Sequence, residues 1–235
     1  MALNRPRISV YIAHSVDGYI ADSEGSLDWL FTGAALEGED YGYEALMASV
    51  DGLAMGRGTW DYIADEPSLP FGDRRVYVFT HREAKPRDGV EFWSRTPREA
   101  VAEWQAAGLT HVYVDGGRLI SDFLAEGLVD DLTLTVVPVL LGSGSLLFHA
   151  IPARTSLALE SSQSYPNGVV QLRYRRTWLQ GTTTHETALL LDFAWRFTPF
   201  EFNWIWGSLL KAEIVYYPGT HRQRALVKDF AIIYE

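Results

Sequence analysis

Residues 111–124 read "HVYVDGGRLISDFL". A run rich in β-branched and aromatic residues meets two glycines, and an amphipathic pattern follows at once. "HVYVDGG" (111–117) is predicted to be a buried strand ending in turn residues. "RLISDFLAEG" (118–127) is predicted to be a helix with Leu119, Ile120, Phe123 and Leu124 on its inward side. Strand, glycine turn, helix is the unit from which the rest of the chain can be read.

Working outward, "RISVYIA" (7–13), "RRVYVFT" (74–80) and "DLTLTVVPVLLG" (131–142) are further strand patterns. Between them, "TPREAVAEWQAAG" (96–108) has a helix start with Thr96 as N-cap, Pro97 at the first helical position and Glu99 completing a capping box. Gly108 is its stop. "DYGYEALMASV" (40–50) is a third helix. "SLALESSQSY" and "VVQLRYRRTW" flank "PNG" (166–168), a hairpin turn in which Gly168 is free to take positive φ. Strands alternating with helices, then a closing hairpin, predict an α/β fold. Its sheet is mostly parallel, covered on both faces, with an antiparallel edge.

The bulk properties set limits on function. The 235 residues are 47% hydrophobic and 21% charged, an ordinary globular balance, and the formal net charge is −10. A chain of that sign is expected to bind neither nucleic acid nor anionic membrane non-specifically, since both need a basic face. No cysteine is present, which excludes disulfides, thiolate zinc sites and iron–sulfur clusters. The stretch from residue 1 to residue 19 lacks the apolar core of a signal peptide, and no apolar run is long enough for a transmembrane helix. A cytoplasmic protein is the expectation.

Three strand ends each carry an arginine. "MGRGTW" (55–60) places Arg57 between two glycines before a helix. "FTHRE" (79–83) places His81 and Arg82 after a strand. "VDGGRLI" (114–120) places Arg118 at a helix start. Glycines let backbone approach an anion closely, and a guanidinium suits bidentate phosphate contact. In a parallel sheet these strand ends share one edge, where ligands bind. Three cations gathered there in an acidic chain predict an extended polyphosphate ligand. The spacing is not that of a Rossmann fingerprint.

The motifs "ISVYIAHSVDGYIA", "MGRGTW", "VDGGRLISDFL" and "DDLTLT" resemble, in order and approximate spacing, those of dihydrofolate reductase. "PVLLGSGSLLF" resembles the C-terminal reductase domain of the bacterial riboflavin-biosynthesis deaminase–reductase. The likeness covers residues 6–178, and it implies the three-layer α/β/α fold of these reductases and NADPH as cofactor. Carried over by position, Ala13 and Ile20 would contact the nicotinamide carboxamide. Gly56, Arg57, Gly58 and Thr59 would hold phosphates. Arg57 and Arg82, with Thr80 and His81, would flank the adenosine 2′-phosphate. Gly116, Gly117, Arg118 and Leu119 would form the pyrophosphate turn. The acid that serves dihydrofolate reductase falls on Asp40, and its threonine partner on Thr135.

An acid hydrogen-bonded to a hydroxyl can anchor a substrate and supply the proton that C=N reduction needs. Asp40 is also one acid of the run "EGEDYGYE", solvated at a helix start. Glu44 stands where dihydrofolate reductase has an apolar residue, which speaks against a folate-like substrate. Asp17 is foremost a turn residue, and Trp29 is the tryptophan expected to cover the site. Six histidines show no metal-ligand spacing, so no metal is expected.

Past residue 179 the composition changes. "LQGTTTHET" (179–187) reads as a linker, and "FEFNWIW" (200–206) alternates Phe200, Phe202, Trp204 and Trp206 on one face of a strand. The expected organisation is a reductase domain over 1–178 and a small aromatic-rich β extension over 179–235. That extension is a subdomain, a dimerisation element or a fused module, which leaves a homodimer open. The lead reading is an NADPH-dependent reductase acting on a C=N-type bond of a small heterocycle, pterin-like or ribosylamino-pyrimidine-like. The second is a nucleotide-binding or interaction module with weak or lost activity.

Overall fold

A computed structural model describes residues 5–149, 151 and 155–177. The extension predicted over 179–235 and the boundary after residue 178 lie outside these residues.

The sheet forms because short apolar runs pair along the chain. It has eight strands, β1 (Arg7–Ser15), β3 (Gly52–Gly56), β4 (Arg75–Phe79), β5 (Val90–Trp93), β6 (His111–Asp115), β7 (Asp131–Val137), β9 (Leu157–Ser164) and β10 (Val170–Arg176). Their order in the sheet is β5-β4-β3-β6-β1-β7-β10-β9. From β5 across to β7 every neighbouring pair is parallel. β10 returns antiparallel to β7 and β9 antiparallel to β10. A second sheet of two short strands joins β2 (Tyr19–Ala21) to β8 (Ser145–Leu146).

Helices cover both faces, because successive side chains of each buried strand point to opposite sides. On one side Ile8, Val10, Val112, Val114, Leu132 and Leu134 pack with α4 (Pro97–Ala106) and α5 (Gly117–Ala125). Trp104 of α4 is fully buried there, with Trp93 at 6.0 Å and Phe123 at 5.9 Å in near-parallel stacks. On the other side Leu53, Met55, Val76 and Val78 meet Met47 of α2 (Tyr43–Ser49) and Trp60 of α3 (Arg57–Ile63). The predicted three-layer α/β/α architecture is therefore the observed one.

Local signals were mostly kept. The Thr96–Glu99 capping box is formed with Pro97 in the first turn. The "PNG" hairpin closes with Tyr165 N–H on Val169 O and Gly168 at φ 84°. The strand predicted over 131–142 stops at Val137 instead, since Pro138 brings no N–H to the ladder. β5, β2, β8 and the short α1 (Asp28–Gly33) escape sequence reading. They run from two to six residues, too few to show a period.

Candidate active site

The carboxyl ends of β3, β4, β5 and β6, the middle of β1 and the β2–β8 ribbon enclose a cleft of about 1060 Å³. That is at the upper end of the roughly 300–1,000 Å³ usual for small-molecule sites, enough for a dinucleotide with a second ligand. Ala13, Ile20, Gly56, Arg57, Gly58, Thr59, Thr80, His81, Arg82, Gly116, Gly117, Arg118 and Leu119 all line it. Asp40 and Thr135 do not.

One half of the cleft is cationic. Arg57 donates to Asp61 at 2.6 Å and to the Glu83 carbonyl at 3.1 Å. Arg82 donates to the other oxygen of Asp61 at 3.4 Å. One carboxylate thus holds two guanidiniums side by side. The exposed Arg118 opens α5. A fourth arginine, Arg95, follows β5 and lies 4.3 Å over the Trp93 ring while pairing with Glu103. It is not legible as a site residue because the four-residue β5 is not legible as a strand. The four arginines follow four adjacent strands.

The glycines of "VDGG" have reasons inside the fold. A Cβ on Gly116, which sits at φ +92°, would come 2.8 Å from Thr59 Oγ1. A Cβ on Gly117 would come 2.1 Å from the Leu146 carbonyl oxygen. The β8 backbone therefore presses directly on the start of α5. No side chain caps α5, so its first-turn N–H groups are left to other acceptors and, with the helix dipole, favour an anion.

The other half is aromatic and acidic. Tyr11 of β1, Tyr43 of α2 and Tyr113 of β6 line it with Leu27, Leu30 and Ile20. Tyr11 and Tyr43 are 5.9 Å apart, tilted by 54°. The hydroxyls of two of the three are tied back: Tyr113 donates to the Tyr11 carbonyl at 2.8 Å, and Tyr11 to the Tyr41 carbonyl at 3.1 Å. At the end of β6 stands Asp115, whose carboxylate accepts the Gly116 N–H at 2.8 Å. Burial pushes its carboxyl up to about 6, against the lowering pull of the Gly116 N–H and then of Tyr113. In the sequence this residue reads as part of a turn. The available signal was an acid at the last position of a buried strand.

The acid–hydroxyl pair expected of Asp40 and Thr135 is not formed. Asp40 is exposed and accepts the N–H groups of Gly42 and Glu44, each at 2.8 Å, at the start of α2. Those bonds, the Glu44 one foremost, hold its carboxyl below the usual range. Thr135 is buried and receives the Gln171 amide at 3.1 Å; the same amide reaches the Tyr41 carbonyl at 2.9 Å. Glu44 is exposed, and Tyr43 beside it supplies the wall. Trp29 is not in the lining, which takes Leu27 and Leu30 from that segment. Asp17 accepts from Ser15 Oγ, Leu141 N and Gly142 N, fastening the loop before β8 to the end of β1. Among the described residues no helix is long and apolar enough to cross a membrane, and no three metal-ligating side chains converge.

Comparison with known proteins places this architecture. The RibD C-terminal domain family matches residues 6–171. The uncharacterized protein YwjB of Bacillus subtilis is 36% identical over 171 residues, covering 71% of this chain and 96% of that one. The riboflavin biosynthesis protein RibD of Corynebacterium ammoniagenes is 34% identical over 168 residues, 63% of this chain and 48% of RibD, so the match spans about half of that longer protein. Among solved structures, a candidate riboflavin biosynthesis protein of Shewanella sp. PV-4 superimposes with a TM-score of 0.68 at 34% identity, covering 73% of this chain and 99% of the other. The Thermotoga maritima deaminase/5-amino-6-(5-phosphoribosylamino)uracil reductase shares the fold at 15% identity, with a TM-score of 0.56 over 74% of this chain and 57% of its own. The chain belongs to the RibD C-terminal domain family, a family of reductases.

Proposed function

We propose that the protein is an NADPH-dependent reductase that saturates a C=N-type bond in a small heterocyclic substrate. The observation that carries this reading is the division of one cleft into an arginine half and a tyrosine–carboxyl half.

The cationic half fits a phosphorylated dinucleotide. Arg57 and Arg82, held together by Asp61, would take the 2′-phosphate of the adenosine, with Thr80 and His81 beside them. The uncapped start of α5, from Gly116 to Leu119, would take the pyrophosphate, helped by the Arg118 guanidinium. Ala13 and Ile20, where the two halves meet, would border the nicotinamide. When bound, NADPH supplies a hydride for the carbon of the C=N bond.

The nitrogen of that bond must gain a proton as the carbon is reduced. Asp115 is placed to give it, since its carboxyl is pushed up to about 6 by burial, near the working range where an acid both holds and releases a proton. Solvent at the cleft mouth reloads it. Tyr43 and Tyr113 flank this carboxyl and offer ring faces to a flat substrate. Thr135 orients the wall through Gln171, and Asp40 fastens the turn that leads into α2.

Titration with NADPH and NADH tests the reading, followed by quenching of tryptophan fluorescence, since Trp93 lies in the cleft. NADPH is expected to bind at least about tenfold tighter than NADH, as one charge-assisted contact to phosphate implies. Equal affinities, or no binding, overturn the assignment.

A further inference from the structure

Charge is segregated along the sheet edge. Arg57, Arg82, Arg95 and Arg118 follow β3, β4, β5 and β6. On the other side of β6 the lining comes from β1, β2, α1 and α2. Among the described residues it contains no lysine, arginine or histidine there. Arg173 is not part of the lining; its guanidinium lies against Gly42 and acts on the Tyr11 hydroxyl. The carboxyl that faces this half is the half-buried Asp115, and in its ionised form it repels a second anion. Three tyrosine rings and Leu27, Leu30 and Ile20 supply the remaining surface. Ring faces carry negative quadrupole and attract flat rings and cations.

From this we infer that the substrate is an unphosphorylated aromatic N-heterocycle that presents an N–H edge, neutral or protonated, to Asp115 and lays its ring on Tyr43 and Tyr113. The inference rests on the reductase reading, because the arginine half must be filled by the cofactor for the other half to be the substrate site. Of the two substrate classes left open by sequence, it selects against any ribosylamino-pyrimidine that keeps its 5-phosphate. A phosphate in the tyrosine half would meet a carboxyl and, among the described residues, no cation of the lining. The ionised carboxylate facing an N–H edge gives instead a charge-assisted hydrogen bond, while the protonated form of the same carboxyl is the one that serves the reductive step.

The test uses the full chain saturated with NADP⁺, so that added phosphate cannot occupy the arginine half. Calorimetry at about pH 8, where the Asp115 carboxyl is ionised, then compares uridine, uridine 5′-monophosphate and 2-aminopyridine, a flat ring with an N–H edge. Uridine is expected to bind at least about tenfold tighter than its monophosphate, from repulsion at Asp115. 2-Aminopyridine is expected to bind in the millimolar range or better, as its few atoms allow, and Asp115→Asn to weaken it about tenfold while NADP⁺ affinity holds. The inference fails if the monophosphate binds as well as uridine, if 2-aminopyridine does not bind at millimolar concentration, or if Asp115→Asn leaves it unaffected. Failure of NADP⁺ itself to bind overturns the cofactor reading as well; NADP⁺ binding with a phosphate preference overturns this inference alone.

Discussion

The arginine half and the tyrosine half of the cleft share the central strand β6 and differ in how they were built. In the arginine half one local solution is repeated: a strand ends, the chain turns, and a guanidinium appears within three residues. Each repeat is contained in a short piece of sequence. The tyrosine half has no repeating unit. Tyr11, Tyr43 and Tyr113 come from three distant segments, and the bond that sets the last of them, Tyr113 Oη to the Tyr11 carbonyl, spans 102 residues. The repeated half suits a ligand with repeated phosphates. The assembled half suits one particular ring.

The joint between them offers the largest effect. Gly117→Val puts a branched side chain where the Leu146 carbonyl already stands 2.1 Å from the ideal Cβ position. Neither backbone can yield cheaply, because β8 is paired to β2 and Leu147 N–H is bonded to Gly18 O. We expect a loss of about 3 kcal/mol or more in urea unfolding, and a marked loss of NADPH affinity. A variant of unchanged midpoint would show that the two halves are not braced against each other there.

Next is Asp115→Asn, which keeps shape and removes the acid. Turnover should fall by about 10²–10³-fold, as for removal of a general acid, while NADPH affinity stays within about threefold. The wild-type pH profile carries the same signature. With its carboxyl pushed up to about 6 by burial, kcat should be level below that value and fall about tenfold per unit above it as the proton is lost. Asp115→Asn should flatten this limb. Stability follows the same sign. The folded state keeps this proton up to about 6 while the unfolded chain releases it near 3.8. The contribution is therefore full below the lower value and gone once pH has risen through the higher.

How much of this was visible beforehand follows from range. The alternation of strands and helices, the Thr96–Glu99 box and the "PNG" turn are local, and sequence reading found them. Arg57, Arg82 and Arg118 are local too. Arg95 was lost with β5, whose four residues "VEFW" are recognised as a strand only from their pairing with β4. Asp115 was hidden because an acid before two glycines looks like a turn, and only burial separates it from one. Asp40 follows from position along the chain, and position does not distinguish an exposed helix start from a pocket wall. Gly117 seemed to invite a ligand's approach, yet its constraint lies at Leu146, in a loop far along the chain.

A smaller effect is expected on the arginine side. Arg57→Ala removes one charge-assisted contact, worth about 1.5–3 kcal/mol where the partner is a phosphate. NADPH affinity should drop about tenfold to a hundredfold, with NADH affinity little changed. Parallel losses for both nucleotides would place Arg57 at the pyrophosphate instead of the 2′-phosphate. Asp61→Asn sharpens the point. It frees both guanidiniums from their shared carboxylate, and should weaken NADPH binding less than the arginine change does, since the cations remain.

The smallest effect comes from α4, which starts beside the cleft but has its N-terminus occupied. Thr96 Oγ1 accepts the Glu99 N–H at 3.3 Å, and the Glu99 carboxylate accepts the Thr96 N–H at 2.8 Å. α5, on the same face of the sheet, has no such cap. Thr96→Ala should cost about 1 kcal/mol of stability, the usual value of a lost N-cap, and leave both NADPH affinity and turnover where they were. The contrast is the purpose of the experiment. A helix whose first-turn N–H groups are bonded by its own side chains gains stability from them, and one whose groups stay open can lend them to a ligand. If Thr96→Ala changed NADPH affinity as strongly as Arg57→Ala, the phosphate path would run over α4, and the assignment of α5 as the pyrophosphate-binding helix would be lost.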